Sequence, residues 1–226
     1  MKIGRRTFVK SMIGALSAPV WYASRLRSAA TLLCHPFLQS VGEDRATIVW
    51  ATAEEFAGCE VRFSGNGQPV RSASSSVREF FPSDTELSSP FYLHKSVLTG
   101  LEPNTDYAYE VLGDAQYLAG GSGFRFRTAG SGAFSFLAFG DSGSGTAEQL
   151  ALARLMEQER PSFVLPLGDL AYMTGTFEQF QSRYFGIYRE LMKRVAFFPC
   201  LGNHDYMTRS GFPYLTLHDV PSPQSV

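Results

Sequence analysis

Three apolar segments in the second half of the chain each end in a glycine that is followed by an oxygen-bearing side chain. The three turns span residues 140–143, 168–172 and 202–205, and they read GDSG, GDLAY and GNHD. Glycine lets a chain turn sharply and lets its backbone approach a bound group closely. In an open sheet of parallel strands, ligands bind outside the carboxyl ends of the strands. We therefore expect the three turns to meet at one edge of a sheet and to form a site there.

The segments around these turns predict an α/β sheet. Continuous apolar runs at residues 134–139, 163–167 and 195–201 are typical of strands that are buried on both faces. Between them, residues 146–160 and 177–194 carry apolar side chains at helical spacing. The order strand, helix, strand, helix, strand predicts the beginning of a parallel α/β sheet.

The first half of the chain predicts a β-sandwich of two antiparallel sheets. Residues 36–128 hold short alternating or β-branched runs with turn signals between them and no helical period. Residues 129–132 are small and flexible, and they predict a linker between the halves. Segment 98–107 resembles the corner before a late strand of fibronectin type III domains, which implies that the Tyr107 hydroxyl bonds to nearby backbone. Such sandwiches host many functions, so this half indicates little about chemistry.

Residues 1–30 have the features of an export signal. A basic start with Arg5 and Arg6 precedes a short apolar stretch, and small residues at 28–30 suit a signal peptidase. The string RRTFVK at residues 5–10 resembles the twin-arginine signal, which implies the twin-arginine export machinery as a partner and a periplasmic or extracellular location. A basic N-terminus followed by an amphipathic helix is the alternative interpretation. The apolar stretch is shorter than the ~20 residues of a membrane-spanning helix, so we expect no membrane span in the mature chain.

Charge and cysteine content narrow the classes of function. With Lys+Arg 20 against Asp+Glu 21, the chain has no basic surplus that would favour nucleic acid. Three cysteines allow at most one intramolecular disulfide, and Cys34 and Cys59 are the favoured pair because both lie in the first domain. Cys200 lies in an apolar run and is expected to be buried and unreactive. Three histidines that stand alone are expected at the surface or in turns: His35, His94 and His218.

The acidic side chains of the first two turns favour a metal site. Asp141 and Asp169, brought together without a cation, would repel each other until one took up a proton. Two metal ions ~3.5–4 Å apart can instead be bridged by one carboxylate, for which Asp169 is the candidate. Each turn alone also fits a structural role: Asp141 as a helix cap, Asp169 and Tyr172 as a turn acid and a packing aromatic, and residues 203–205 as a polar turn. Three such turns in order, each at the end of a strand, favour the metal site.

The series GD-x-G, GD-xx-Y and GNH-D/E resembles the first three of the five metal-site motifs of purple acid phosphatases, within the calcineurin-like metallophosphoesterases. The resemblance implies that Asp141 binds the first metal, that Asp169 bridges both and that Tyr172 binds the first metal through its phenolate. Asn203 would bind the second metal through its amide oxygen. His204 would lie near the phosphate as a candidate proton donor or electrostatic stabiliser. The implied cofactor is a binuclear centre of Fe(III), which the tyrosine favours, with Fe, Zn or Mn.

The start of the first half, residues 35–52, also resembles the small β-domain that precedes the catalytic domain of these phosphatases. The resemblance implies a β-sandwich domain at residues 31–129, followed by an incomplete α/β (αββα-type) metallophosphoesterase domain at residues 132–226. The second domain is expected to be incomplete, and the chain truncated, because the family's remaining two motifs supply three histidines that have no match here.

Three functional hypotheses follow. The first is an exported acid phosphatase that hydrolyses small phosphate esters through a binuclear metal-bound hydroxide, with the 226-residue chain alone inactive. The second is an inactive truncated protein that acts at most as a β-sandwich interaction module. The third is a nucleotide-binding domain built on residues 140–145, which is disfavoured because its glycine order does not match the dinucleotide fingerprint.

Overall fold

A computed structural model describes residues 32–65 and 67–220 of the chain. The predicted export signal at residues 1–30 lies outside the described residues. Within them, every helix is too short or too polar to cross a bilayer. The first half consists of strands and one single-turn helix, α1 (Pro82–Thr85). Its strands are β1 (Leu32–Gln39), β2 (Arg45–Thr52), β3 (Cys59–Gly65), β4 (Arg71–Phe80), β5 (Phe91–Thr99), β6 (Asp106–Gly113), β7 (Gln116–Ala119) and β8 (Arg125–Arg127).

These strands form an antiparallel sheet that curls into two layers. The strand order is β1-β2-β5-β4-β3-β6-β7, and β8 pairs with the other side of β6. β4 joins the layers, because its residues 71–74 pair with β3 and its residues 75–80 pair with β5. The predicted fold class of this half is confirmed, with the two layers continuous through β4.

The core between the layers follows from the two-residue period of the strands. In β3, every second residue from Cys59 to Gly65 is buried, and in β2 both Ile48 and Trp50 are fully buried. At the corner before β6, the N–H of Glu102 donates to the Tyr107 hydroxyl at 2.9 Å. The contact predicted for Tyr107 is thereby confirmed.

The second half forms a parallel sheet in the order β11-β10-β9. Its strands are β9 (Phe136–Phe139), β10 (Phe163–Pro166) and β11 (Ala196–Phe197). The helix α2 (Ala147–Glu159) connects β9 to β10 and is capped by Thr146, whose side chain accepts from the N–H of Gln149. The predicted order of strands and helices is confirmed.

A continuous helical stretch connects β10 to β11. It consists of α3 (Phe177–Phe180), a π-helical segment (Gln181–Phe185) and α4 (Gly186–Met192). Its buried face carries the apolar side chains expected from their spacing: Phe180, Tyr184, Tyr188 and Leu191. Two short helices, α5 (Asn203–Tyr206) and α6 (Phe212–Leu217), follow β11.

One face of the parallel sheet differs from the prediction of strands buried on both faces. Val164 and Phe197 point towards the helices and are buried, whereas Phe136 is 50% exposed. Phe136 stacks on Phe163 with ring centroids 5.3 Å apart, and Phe198 contacts Phe163 edge-on. An apolar run does not reveal which of its faces is covered, because both faces are apolar.

The two halves pack against each other through an apolar junction. Phe37 of β1 contacts Phe185, and Phe80 and Phe91 contact Phe177. These residues belong to one hydrophobic cluster that draws side chains from both halves. The cluster fixes the position of the helical stretch relative to the first sheet.

A polar contact around Asp219 reinforces this junction. The Asp219 carboxylate accepts from the hydroxyls of Ser40 and Thr47, each at 3.2 Å, and pairs with the ammonium group of Lys95. The N–H of Asp219 donates to the side-chain oxygen of Gln39 at 2.6 Å. The segment after α6 is therefore attached to strands β1, β2 and β5.

The expectations for the cysteines are wrong. Cys34 and Cys59 are both free, because Cys34 faces the junction cluster and Cys59 faces the core between the layers. Cys200 is exposed rather than buried.

Two of the lone histidines also differ from expectation. His94 is buried in β5, where its Nε2 lies 2.9 Å from the Thr52 hydroxyl. His218 is buried after α6, where its Nδ1 lies 2.9 Å from the Tyr214 carbonyl oxygen. Both are core residues rather than surface or turn residues, while His35 is half-buried on β1.

Candidate metal centre

The three glycine turns meet at the carboxyl edge of the parallel sheet, as predicted. The N–H of Asp141 donates to the carbonyl of Gly168 at 3.2 Å, which joins the first turn to the second. A Cβ at Gly143 would lie 2.4 Å from the backbone of Leu170, and one at Gly202 would lie 2.1 Å from the nitrogen of Asp169. Only glycine permits backbone contacts this close, so these residues bring the turns together.

The side chains of Asp141, Asp169 and Tyr172 are in direct contact. The Tyr172 hydroxyl lies 3.3 Å from Asp141 Oδ1 and 3.3 Å from Asp169 Oδ2. Desolvation and the two carboxylates raise the pKa of Tyr172 to about 12, so in the absence of a cation the phenol keeps its proton and donates it. The three oxygen-bearing groups predicted from separate turns thus form one cluster.

Backbone geometry aims the two carboxylates. Asp141 and Asp169 both have positive φ, at 53° and 54°, a conformation that side chains other than glycine seldom adopt. Asp169 is buried, and its Oδ1 accepts from the N–H of His204 at 3.0 Å. Its other oxygen, Oδ2, is the one that contacts Tyr172. The two oxygens of Asp169 therefore have different roles: one fixes the side chain and the other faces the cluster.

His204 lies beside the cluster, and Asn203 lies at its rim. The ring of His204 contacts the ring of Tyr172 edge-on, with centroids 4.6 Å apart. Its Nδ1 lies 2.7 Å from the Met173 carbonyl, which can only accept, so Nδ1 carries a hydrogen. Asn203 begins α5 with its side chain exposed. The structure thus groups Asp141, Asp169 and Tyr172 tightly, while the ligand role of each residue, that of Asn203 included, stays a prediction.

Several residues around the site were not found from the sequence. Arg183 donates to the Tyr172 carbonyl at 2.5 Å, and its own carbonyl accepts from Gln149 Nε2 at 2.8 Å. Gln149 Oε1 accepts from the N–H of Gly145 at 2.6 Å, and the Tyr188 hydroxyl donates to Ser142 at 3.1 Å. These contacts support the first two turns from behind. No short motif signals them, because the partners come from two helices far apart in sequence.

The donor set suits hard metal ions. Two carboxylates and a phenol within 3.3 Å of one another supply oxygen ligands, which hard cations such as Fe(III) prefer. No group of three or more His, Cys, Asp or Glu side chains in the described ranges is arranged for a metal. The cluster fits a metal through oxygen ligands, one of them a tyrosine.

Comparison with known proteins agrees with this geometry. Residues 34–128 match the family model for the N-terminal domain of purple acid phosphatases. Residues 134–224 match the family model for calcineurin-like phosphoesterases. Among curated proteins, none matches the sequence significantly.

Solved structures share the fold. The purple acid phosphatase PPD1 from seeds of yellow lupin, Lupinus luteus, aligns with a TM-score of 0.70 and 20% identity over 83% of this chain and 40% of its own. PhoD aligns with a TM-score of 0.51 and 14% identity over 82% of this chain and 41% of its own. The chain thus spans about two fifths of the length of each of these relatives.

The two family matches together cover most of the chain, in the order in which the two folds follow each other here. The shared fold with the lupin phosphatase extends over both. The chain belongs to the purple acid phosphatase type of calcineurin-like phosphoesterases.

Proposed function

We propose that this chain is part of an exported acid phosphatase that hydrolyses small phosphate esters with the help of a binuclear metal centre. The observation that carries the proposal is the contact of the Tyr172 hydroxyl with both Asp141 and Asp169 at 3.3 Å, at the edge where three strand ends meet. Two carboxylates and a phenol have little structural reason to gather at an exposed edge, since their charges repel. A bound cation would turn this repulsion into attraction.

The roles proposed for the site residues follow from this geometry. Asp141 and Tyr172 would hold the first metal, Asp169 would bridge through the oxygen that faces the cluster, and Asn203 would hold the second. The centre would be Fe(III) with Fe, Zn or Mn. When bound, such metals supply Lewis acidity for a phosphoryl oxygen and a water of lowered pKa.

His204 is proposed to move a proton next to the phosphate. Its Nδ1–H is held by the Met173 carbonyl at 2.7 Å, which fixes the ring and leaves Nε2 free of that contact. A neutral ring would accept at Nε2, and a protonated ring would donate there to a phosphate oxygen. Because the ring is fixed against Tyr172, Nε2 keeps a constant position relative to the metal ligands.

The 226-residue chain alone is proposed to be inactive. The family's missing motifs supply three histidines, and the chain has four histidines, of which His94 and His218 are buried in cores away from the site. Neither can reach the cluster without unfolding.

Export is proposed on the sequence of residues 1–30. Arg5 and Arg6 with the apolar stretch after them favour the twin-arginine export machinery and a periplasmic or extracellular location. A protein exported in the folded state would take up its metal before it crosses the membrane.

Metal retention by the full chain tests the proposal. Equilibrium dialysis against Fe(III), Zn(II) or Mn(II), followed by metal analysis, should show bound metal for the natural chain. Asp169→Ala should lower the affinity at least ~10-fold, because a bridging ligand is lost. The control Asp106→Asn, at an exposed ion pair with Arg127, should leave it unchanged. Equal retention by Asp169→Ala would contradict the bridging role, and no retention by the natural chain would favour the β-sandwich interaction module instead.

A further inference from the structure

Asp205 is a buried carboxylate that the proposed chemistry does not use. It lies in the short helix α5, and its side chain is fully buried, with 0% exposure. Its Oδ1 accepts from the N–H of Leu170 at 2.9 Å and from that of Ala171 at 3.1 Å. Its Oδ2 accepts from the N–H of Gly202 at 3.0 Å and again from Leu170 at 3.1 Å. A buried charge with these backbone partners is satisfied rather than stranded.

The three backbone partners belong to the two turns that carry most of the predicted ligands. Leu170 and Ala171 are the residues between Asp169 and Tyr172. Gly202 directly precedes Asn203. A single carboxylate therefore connects the backbone of the second turn to that of the third.

The left-handed conformation of Asp169 explains why such a connection is needed. At φ 54°, Asp169 occupies a region that costs a non-glycine residue energy unless its surroundings hold it there. The two N–H groups that follow Asp169 both point to Asp205. Their hydrogen bonds to a charged acceptor are stronger than bonds to a neutral one, so they stabilise this conformation.

The close contact of the turns leaves no room for an alternative arrangement. A Cβ at Gly168 would lie 2.7 Å from Gly202, and a Cβ at Gly175 would lie 2.7 Å from the backbone of Asp205. A small rotation of α5 would break these contacts and the four hydrogen bonds together. The position of Asp205 thus fixes where Asp169 and Asn203 lie relative to each other.

We propose that Asp205 is a positioning residue of the metal centre, which aligns the ligand turns without touching metal or substrate. The inference rests on the proposed function, because it concerns the ligands of that centre. It deepens that function by assigning a role to an acidic residue that follows the candidate proton donor His204 and yet makes no hydrogen bond to its ring; the His204 ring is held by Met173.

The test compares the natural chain with Asp205→Asn, which keeps the size of the side chain and replaces one acceptor oxygen by a donor. Amide hydrogen exchange, followed by NMR without metal, should be about 10- to 100-fold faster at Leu170, Ala171 and Gly202, the loss expected for hydrogen bonds to a charged group. Amides of β2 and α4 should be unchanged. The affinity for Zn(II) or Fe(III) should fall about 10- to 100-fold. Asp106→Asn serves as the control, because its carboxylate is at the surface.

Separate outcomes decide the two proposals. Unchanged exchange at the three amides in Asp205→Asn, or unchanged metal affinity in a natural chain that binds metal, would overturn the positioning role. A natural chain that binds no metal would overturn the metal centre, and with it the role of Asp205 in that centre, even if the exchange result held. If Asp205→Asn does not fold, exchange in the natural chain decides: the three amides must be protected, and exchange at the rate of free amides would overturn the role.

Discussion

The two halves of the molecule build order in different ways. In the first half, β2 and β3 place their apolar side chains in a core that the curled sheet encloses, with Trp50 and Ile48 fully buried. In the second half, the parallel sheet buries one face against helices and leaves Phe136 and Phe198 exposed on the other. The first half therefore depends on side-chain packing between its layers. The second half depends on one packed face and on the contacts at its strand ends.

This difference matters because the candidate metal centre lies at those strand ends. Its turns are held by glycines in backbone contact and by the carboxylate of Asp205, not by the exposed face of the sheet. The geometry of the ligands is thus set locally. We expect substitutions at the turns to affect the site strongly and substitutions on the exposed face to affect it little.

The largest expected effect separates the two faces of the parallel sheet. Phe197→Ala removes a side chain that is 2% exposed and should lower the free energy of unfolding by about 3–5 kcal/mol. Phe136→Ala, on the other face, should cost about 1 kcal/mol or less. Urea unfolding of both variants measures the difference. Equal losses would contradict the one-sided packing of this sheet.

A smaller effect is expected at the glycine turns. Gly202→Ala places a Cβ 2.1 Å from the nitrogen of Asp169 and should lower the free energy of unfolding by about 3 kcal/mol. Gly58→Ala is the matched control in the first half, since its Cβ would meet no heavy atom within 4 Å, and it should change stability by no more than about 0.5 kcal/mol. A neutral Gly202→Ala would show that the turns are not in tight contact.

One buried histidine in each half provides a pH probe. Burial lowers the pKa of His94 and of His218 to about 4, although the Tyr214 carbonyl partly opposes this for His218. In the unfolded chain both would titrate near ~6.5, so the unfolded state binds protons preferentially between these values. The free energy of unfolding is therefore full above pH ~6.5 and falls as the pH drops towards 4, by about 2 kcal/mol per histidine at pH 5.

Single substitutions assign this pH dependence to each half. His94→Gln and His218→Gln should each remove about half of the loss in stability between pH 7 and pH 5, measured by urea unfolding. A slope that neither variant changes would contradict the burial of neutral histidines in both halves.

Much of the fold could be predicted from the sequence because its patterns are local. The two-residue period of β3, the helical spacing in α2 and the apolar runs before the glycines all report the element that each segment forms. The corner at Tyr107 and the meeting of the three turns followed from the same reasoning. The contact among Asp141, Asp169 and Tyr172 could be expected once the strand order was known.

Other features depend on partners that leave no local signal. The exposed face at Phe136 could not be distinguished from a covered one, because the run is apolar on both faces. His94 and His218 stand alone in sequence, and their burial depends on the strands and helices packed around them. Asp205 binds backbone N–H groups 34 and 35 residues away, which any residue type could supply. Free Cys34 and Cys59 face different clusters for the same reason: tertiary packing decides it.

The measurement that tests the metal centre most directly is the visible absorption of the full chain titrated with Fe(III). Because the phenol of Tyr172 lies between two carboxylates, a bound ferric ion should displace its proton and produce a tyrosinate charge-transfer band. The natural chain should show this band, and Tyr172→Phe should lack it while still binding metal through Asp141 and Asp169. A natural chain without the band, or a Tyr172→Phe variant that keeps it, would contradict the assignment of this cluster as the metal site.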